Sequence, residues 1–307
     1  MNSGWNEMQM DKTRMMFLAV AAVICAVFGM FSPFFIVATG RTYMNPVLWM
    51  FGGIFCAAIL LLIFYKIQKR YRRNYKNLVV SKAAADLFDE YSYYPEDGVS
   101  QAEIALTGIM RTGNRFQSED MVTGTYKGVN FRRSDVYIAQ HTSTGKSSHT
   151  TVYLRGSWLV FQYNKKFESD LQISTKDFMY ELKNTSRLFT RSANLRHSIE
   201  TEDMEFNKMF ECNCQKDTEA FYLLTPRVMQ MLKLIRAELN APFMVGFVDN
   251  KMHVAINSGK NHIEPPIFKE LNPELSVMRT RTELRTICNI IDAFSMDREI
   301  FLGDTEW

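Results

Sequence analysis

Gly145-Lys146-Ser147 has the residue types that close a nucleotide-binding P-loop, where lysine reaches the phosphates and serine meets Mg2+. That chemistry also requires a glycine five residues before Gly145, so that the chain turns tightly enough for backbone amides to surround the phosphates. The residue there is Gln140, and Thr150 to Leu154 that follows is β-rich where a P-loop opens a helix. The polar run from Ala139 to Thr150 is therefore predicted to be an exposed hairpin loop, and no nucleotide is expected.

Other reactive side chains are scattered. The five histidines, His141, His149, His197, His253 and His262, show neither H-x-x-x-H nor H-E-x-x-H spacing. His141 and His149 flank one loop, but two imidazoles without neighbouring carboxylates make a poor transition-metal site, so solvent exposure is expected. Cys212-x-Cys214 lacks the second pair that structural zinc needs, and no Gly-x-Ser-x-Gly elbow occurs. Carboxylates are densest from Glu200 to Glu205, where they could bind divalent ions or act as acid and base. Spread along a strand they would alternate faces, so a solvated edge is the expectation. Phe206 and Phe210 read as core. No catalytic, cofactor-binding or metal-ligating residue is assigned, and no cofactor is expected.

The elements that must position any site begin with two uncharged runs, Met15 to Gly40 and Thr42 to Tyr65. A bilayer core of roughly 30 Å takes about 20 apolar residues as a helix. Both runs are long enough, and a cleaved signal peptide fits the first poorly, because it exceeds a usual apolar region and a second run follows at once. The predicted layout is a tail (1–14), a transmembrane hairpin (15–65, spans about 15–39 and 43–65), a basic flank (66–77) and an α+β domain (78–307). Its turn is placed around Gly40 to Pro46.

Charge orients this hairpin. Lys12 and Arg14 precede the first span, Arg41 alone lies between the spans, and Lys66, Lys69, Arg70, Arg72, Arg73 and Lys76 follow the second. The positive-inside rule then places both termini in the cytoplasm and the chain in the inner membrane as a two-span protein. The same six cations are candidate contacts for lipid headgroups, with Tyr65, Tyr71 and Tyr75 at the interface. Residues 1–76 carry nine Lys/Arg and two Asp/Glu, against 27 and 31 in residues 77–307. The basic balance thus belongs to the anchor, which removes the case for a nucleic-acid surface on the larger domain.

In the domain, helix is predicted from Leu78 to Tyr91 and, behind a Ser100-x-x-Glu103 capping box, to about Arg111, with Asn114 to Ser118 as a connection. From Met121 to Ser174 a period of two predicts an antiparallel meander of four or five strands, half-buried on one face. Extended structure is expected around Ile199 and Met209 to Cys212, then a short helix capped by Asp217. A further helix is capped by Thr225, with Val228, Met231, Leu232, Ile235 and Leu239 as its apolar stripe. A hairpin around Asp249-Asn250-Lys251 and a helix from about Arg279 to Met296 close the chain. Strand groups between helix groups, without a βαβ rhythm, indicate α+β with antiparallel sheet.

The ordered series Arg155-Gly-Ser-Trp-Leu-Val-Phe-Gln-Tyr163, Glu205-Phe-Asn-Lys-Met-Phe210, Glu219-Ala-Phe-Tyr-Leu-Leu-Thr-Pro226, Ile263-Glu-Pro265 and Ile290-Ile-Asp292, behind paired spans, resembles the bacterial membrane-protein family known as domain of unknown function 3137. The resemblance covers most of residues 10–300. It implies a membrane hairpin followed by a cytoplasmic α+β domain, and it supplies no catalytic residues. Matched positions such as Gly156, Phe206, Phe210 and Pro226 suit a packed scaffold better than a reaction centre.

The function expected is that of a non-enzymatic, membrane-anchored module that binds lipid and a protein partner or self-associates. An enzyme or small-molecule sensor, with a site assembled from distant residues, is the alternative.

Overall fold

The computed structural model describes residues 3–39, 45–145, 147–162, 167, 170–181, 196–261, 263–267 and 270–294. The chain forms two units, Met1–Val79 with Glu264–Ser276, and Val80–Ile263 with Val277–Trp307.

The first unit is built on α1 (Ser3–Ala38) and most of α2 (Pro46–Ala84). Both helices are long and apolar enough to cross a membrane. Many of the large apolar side chains in their apolar runs point outward: Phe17, Phe34 and Leu62 are 73, 73 and 70% exposed. The helices touch backbone to backbone, since a Cβ on Gly53 would lie 2.5 Å from the Cα of Gly29. Pro33 has no amide to give to the Gly29 carbonyl, and the Ser32 hydroxyl donates to that oxygen instead, at 3.0 Å.

Helix begins well before the predicted first span and continues through the basic flank, so the tail and the flank are helical from Ser3 and to Ala84. Tyr71 and Tyr75 are buried with Met8, Met15, Val79 and Leu271, which corrects their expected place among lipid headgroups. The expected turn falls for residues 40–44 outside the described residues.

The second unit is α+β, organised on one nine-stranded antiparallel sheet in the order β1-β2-β3-β4-β9-β8-β5-β7-β6. In chain order its elements are β1 (Glu90–Tyr94), α3 (Gln101–Thr107), β2 (Arg115–Tyr126), β3 (Val129–Ser143), β4 (Ser148–Gln162) and β5 (Leu171–Thr175). Then come β6 (His197–Ile199), α4 (Met204–Met209), β7 (Phe210–Cys214), α5 (Asp217–Leu223), α6 (Pro226–Leu239), β8 (Phe243–Val248), β9 (Lys251–Ile256) and α7 (Pro273–Phe294).

Long strands β2, β3 and β4 form the expected meander, turning at Lys127-Gly128, where both residues have positive φ. The β8–β9 hairpin then separates β4 from β5, so the meander is three strands inside a larger sheet. Both faces of its centre are buried, which corrects the one-sided expectation. Leu159, Phe161, Val254 and Phe247 face a core closed by α4, α6 and α7, while Trp158, Val160 and Ala255 face a second core with Ile104 of α3.

Helix ends follow local chemistry. Ser100 accepts from the Glu103 amide at 3.1 Å, and α3 stops at Thr107 because Gly108 takes a left-handed conformation, four residues before the predicted end. Thr225 caps α6 with Pro226 in its first turn; Leu232 and Ile235 are buried as expected, together with Met229. Asp217 is the first residue of α5 rather than its cap. The predicted helix over Leu78 to Tyr91 ends at Ala84, and the remainder leads into β1, whose register against β2 runs from Glu90↔Thr125 to Tyr94↔Met121.

Candidate functional site

A concavity of about 1060 Å3 in the second unit opens beside the terminal strand β1. Glu90 and Ser92 line it, with Thr123 and Thr125 of β2, Asn130 of β3 and Lys251 of β9. Antiparallel register explains the part of this set on β1 to β3: Glu90 pairs with Thr125, Thr125 with Asn130, and Ser92 with Thr123, so alternation sends these five side chains to one face.

At its inner end Arg132 grips Glu103 with two parallel bonds of 2.5 and 3.2 Å, and the Lys251 ammonium stands 3.6 Å from the same carboxylate. Burial alone would raise the Glu103 pKa; the Arg132 bonds and then the nearby cations overcome it and hold the carboxyl below its usual range. Asp86, Asp89 and Glu90 add carboxylates at the rim, giving four acids against two bases among the lining residues. As a terminal strand, β1 leaves alternate backbone amides and carbonyls pointing away from β2. An acidic concavity beside an edge strand can receive an extended basic segment.

A second feature is a charged cluster inside the unit. A β-bulge between Glu119 and Val122 places Asp120 at φ 60, fully buried, where it accepts a 2.5 Å bond from the Tyr93 hydroxyl. Burial and then the Asp120 charge raise the Tyr93 pKa, keeping the phenol protonated. Arg133 of β3 donates to Asp135 at 2.5 Å and to Ser157 at 2.8 Å. Burial works to lower the Arg133 pKa, but Asp135, Glu283 and Asp120 outweigh it, so the guanidinium stays charged. Its Nη1 is buried without a partner, at the wall of a cavity of about 190 Å3 that Glu283 and Thr286 of α7 also line.

The six predicted lipid contacts take different roles. Lys66, Lys69 and Arg73 are exposed. Arg70 holds buried Asp11 through bonds of 2.5 and 3.1 Å, Arg72 pairs with Glu264, and Lys76 is buried 3.8 Å from Glu264. Lys76 therefore faces the interior of its unit rather than headgroups.

The loop that raised the nucleotide question is the β3–β4 hairpin tip: the Thr144 amide donates to the Ser147 carbonyl at 3.0 Å and Gly145 has φ 77, while Lys146 lies outside the described residues. His141 pairs with Thr150 and His149 with Thr142, so alternation puts the two imidazoles on opposite faces. His253 is buried and accepts from the Trp158 indole at 3.3 Å; His262 lies outside the described residues.

The acidic run is not a strand edge. Asp203 caps α4 by accepting from the amides of Glu205 and Phe206, and Lys233 bridges Asp203 and Glu205 at 2.9 Å each. Phe206 and Phe210 are core, stacked with centroids 4.6 Å apart. Sequence reading missed three groupings: the trough, the Arg133 cluster, and the approach of His197, Cys214 and Asp217 to one another. A polar-charged alternation, Asn130-x-Arg132-x-Ser134 against Phe131-x-Arg133-x-Asp135, was the available signal for the first two.

Residues 152–296 match the family described as protein of unknown function (DUF3137). This is the family that the ordered motifs resemble, and every quoted motif lies within the matched segment. The DUF3137 segment runs from β4 into α7 and includes Lys251, Cys214 and Asp217; β1, Glu103 and Arg132 lie before it. A solved structure, the mycobacterial trehalose monomycolate transport factor A, TtfA, is similar over 76% of this chain and 99% of its own, with 12% identity and a TM-score of 0.41. A likeness of that degree assigns no role to any residue. No curated protein matches the chain.

Proposed function

We propose that this protein is a membrane-anchored, non-enzymatic module of the bacterial inner membrane, with both termini cytoplasmic, that binds an extended basic segment of a partner protein along β1. The single observation that carries the binding reading is the acidic trough of about 1060 Å3 beside the terminal strand. A partner strand added to β1 gains main-chain hydrogen bonds there, and Asp86, Asp89 and Glu90 select lysine and arginine. The outward apolar surface of α1 and α2 supports the anchor, and the Lys/Arg excess beside the spans supports the orientation. On this reading Lys66, Lys69 and Arg73 meet anionic headgroups, while Arg70, Arg72 and Lys76 hold their own unit together.

Fluorescent extended decapeptides rich in Lys/Arg, or in Glu, titrated against the detergent-solubilised full chain provide the test. The basic peptides bind and the acidic ones do not; Asp86→Lys with Glu90→Lys weakens binding at least tenfold, and raising the salt does the same. Equal binding of both peptide types, or an unaffected double variant, removes the reading. A small-molecule sensor is the second reading, favoured by the unpartnered Arg133 Nη1 at its cavity.

A further inference from the structure

We propose that His197, Cys214 and Asp217 form an open site for a divalent transition-metal ion of the zinc class. Three elements bring them together. His197 of β6 lies directly opposite Cys214 of β7 in the antiparallel register, which puts both side chains on one face. Three residues after Cys214 the chain enters α5, and its first residue, Asp217, brings its carboxylate to the pair.

The distances suit one small ion. Cys214 Sγ lies 3.6 Å from Asp217 Oδ1 and 4.0 Å from His197 Nε2, and the imidazole and carboxylate are 2.5 Å apart. Tetrahedral zinc, with bonds of about 2.3 Å to sulfur and about 2.0–2.2 Å to nitrogen and oxygen, sets its ligands roughly 3.4–3.6 Å apart. The sulfur–oxygen separation already meets that value. The nitrogen–oxygen separation is short because a hydrogen bond joins the two groups; an ion in its place spreads them by about 1 Å, within reach of side-chain rotation because both residues are more than half exposed.

The donor types choose the ion. Thiolate with imidazole suits zinc or cobalt, whereas Mg2+ and Ca2+ require oxygen ligands. Cys214 is buried beneath two exposed partners, so three protein ligands form the floor and the fourth position faces water. On binding, the Cys214 thiol proton leaves to solvent and the ion takes its place. Neither His197 nor Asp217 borders a second Cys-x-Cys pair, which is why the cysteine spacing in the sequence carried no such signal.

The test uses the full chain in detergent, stripped with chelator and titrated with Co2+. The expected result is about one equivalent bound, with a thiolate-to-cobalt charge-transfer band and the visible bands of tetrahedral cobalt, both displaced by Zn2+. Cys214→Ser abolishes the charge-transfer band, and His197→Gln and Asp217→Asn each weaken binding at least tenfold. The last two substitutions are at exposed positions, so they report on the site even where Cys214→Ser perturbs the strand. Absence of the charge-transfer band in the wild-type protein, or its persistence in Cys214→Ser, overturns the proposal and leaves a His197–Asp217 hydrogen bond.

Discussion

Phe206 carries more than its own helix. Fully buried, it stacks on Phe210, which meets Phe243 edge-on at 5.8 Å, so one ring links α4, β7 and β8. Phe206→Ala removes a large side chain from a packed site, and a loss of about 3–5 kcal/mol is expected in denaturant unfolding of the full chain. The cap beside it makes a different prediction. The amide of Phe206 and then the Lys233 ammonium hold the Asp203 carboxyl below its usual range. A depressed folded pKa means that the contribution is complete above the unfolded aspartate value of about 3.9 and is lost as pH falls through the lower folded value. Tryptophan fluorescence followed downward from pH 5 is expected to show acid unfolding that Asp203→Asn makes less dependent on pH in that window. An unchanged pH profile in the variant would mean the cap contributes nothing.

The helix pair and the strand hairpins answer to different forces. α1 and α2 meet by close backbone contact, which Gly29 and Gly53 permit, and in the proposed lipid setting such contact takes the place of apolar burial. Gly53→Leu puts side-chain atoms where the Gly29 backbone lies and is expected to part the helices. The Cys25 and Cys56 sulfurs, 3.7 Å apart, report this directly. Mild oxidation of membranes crosslinks them in wild type and protects both from maleimide; in Gly53→Leu both remain reactive. Persistent crosslinking in the variant would place the helix contact elsewhere. In the sheet, by contrast, burial of both faces drives assembly, and β8 and β9 carry apolar residues at nearly every position for that reason. Burial also pushes the Cys212 thiol up to about 12, which suits a packing residue and not a nucleophile.

For the membrane anchoring proposed above, the decisive quantity is orientation. Lys/Arg flank the outer ends of the two apolar helices and leave Arg41 alone between them. A periplasmic alkaline phosphatase fused after Trp307 is expected to stay inactive, and a cytoplasmic fluorescent reporter in the same place to be bright. Activity of the phosphatase would reverse the topology and with it the compartment in which the proposed partner would be sought.

Much of this architecture was written in local pattern. Apolar runs, the Ser100 and Thr225 caps, the Lys127-Gly128 and Asp249-Asn250 turns and the α+β class were legible because each depends on residues close in the chain. The DUF3137 resemblance was equally a matter of ordered short motifs. Folding alone decided which strands adjoin: nothing local says that β9 lies between β4 and β8, or that β5 pairs with β8 and β7. The same long-range pairing sets Glu103 against Arg132 and Lys251, and His197 against Cys214. Charge compensation let Arg133 and Asp135 enter the interior, where pattern reading expects apolar residues. Secondary structure is the part governed by near neighbours; the groups that could bind anything are neighbours only in space.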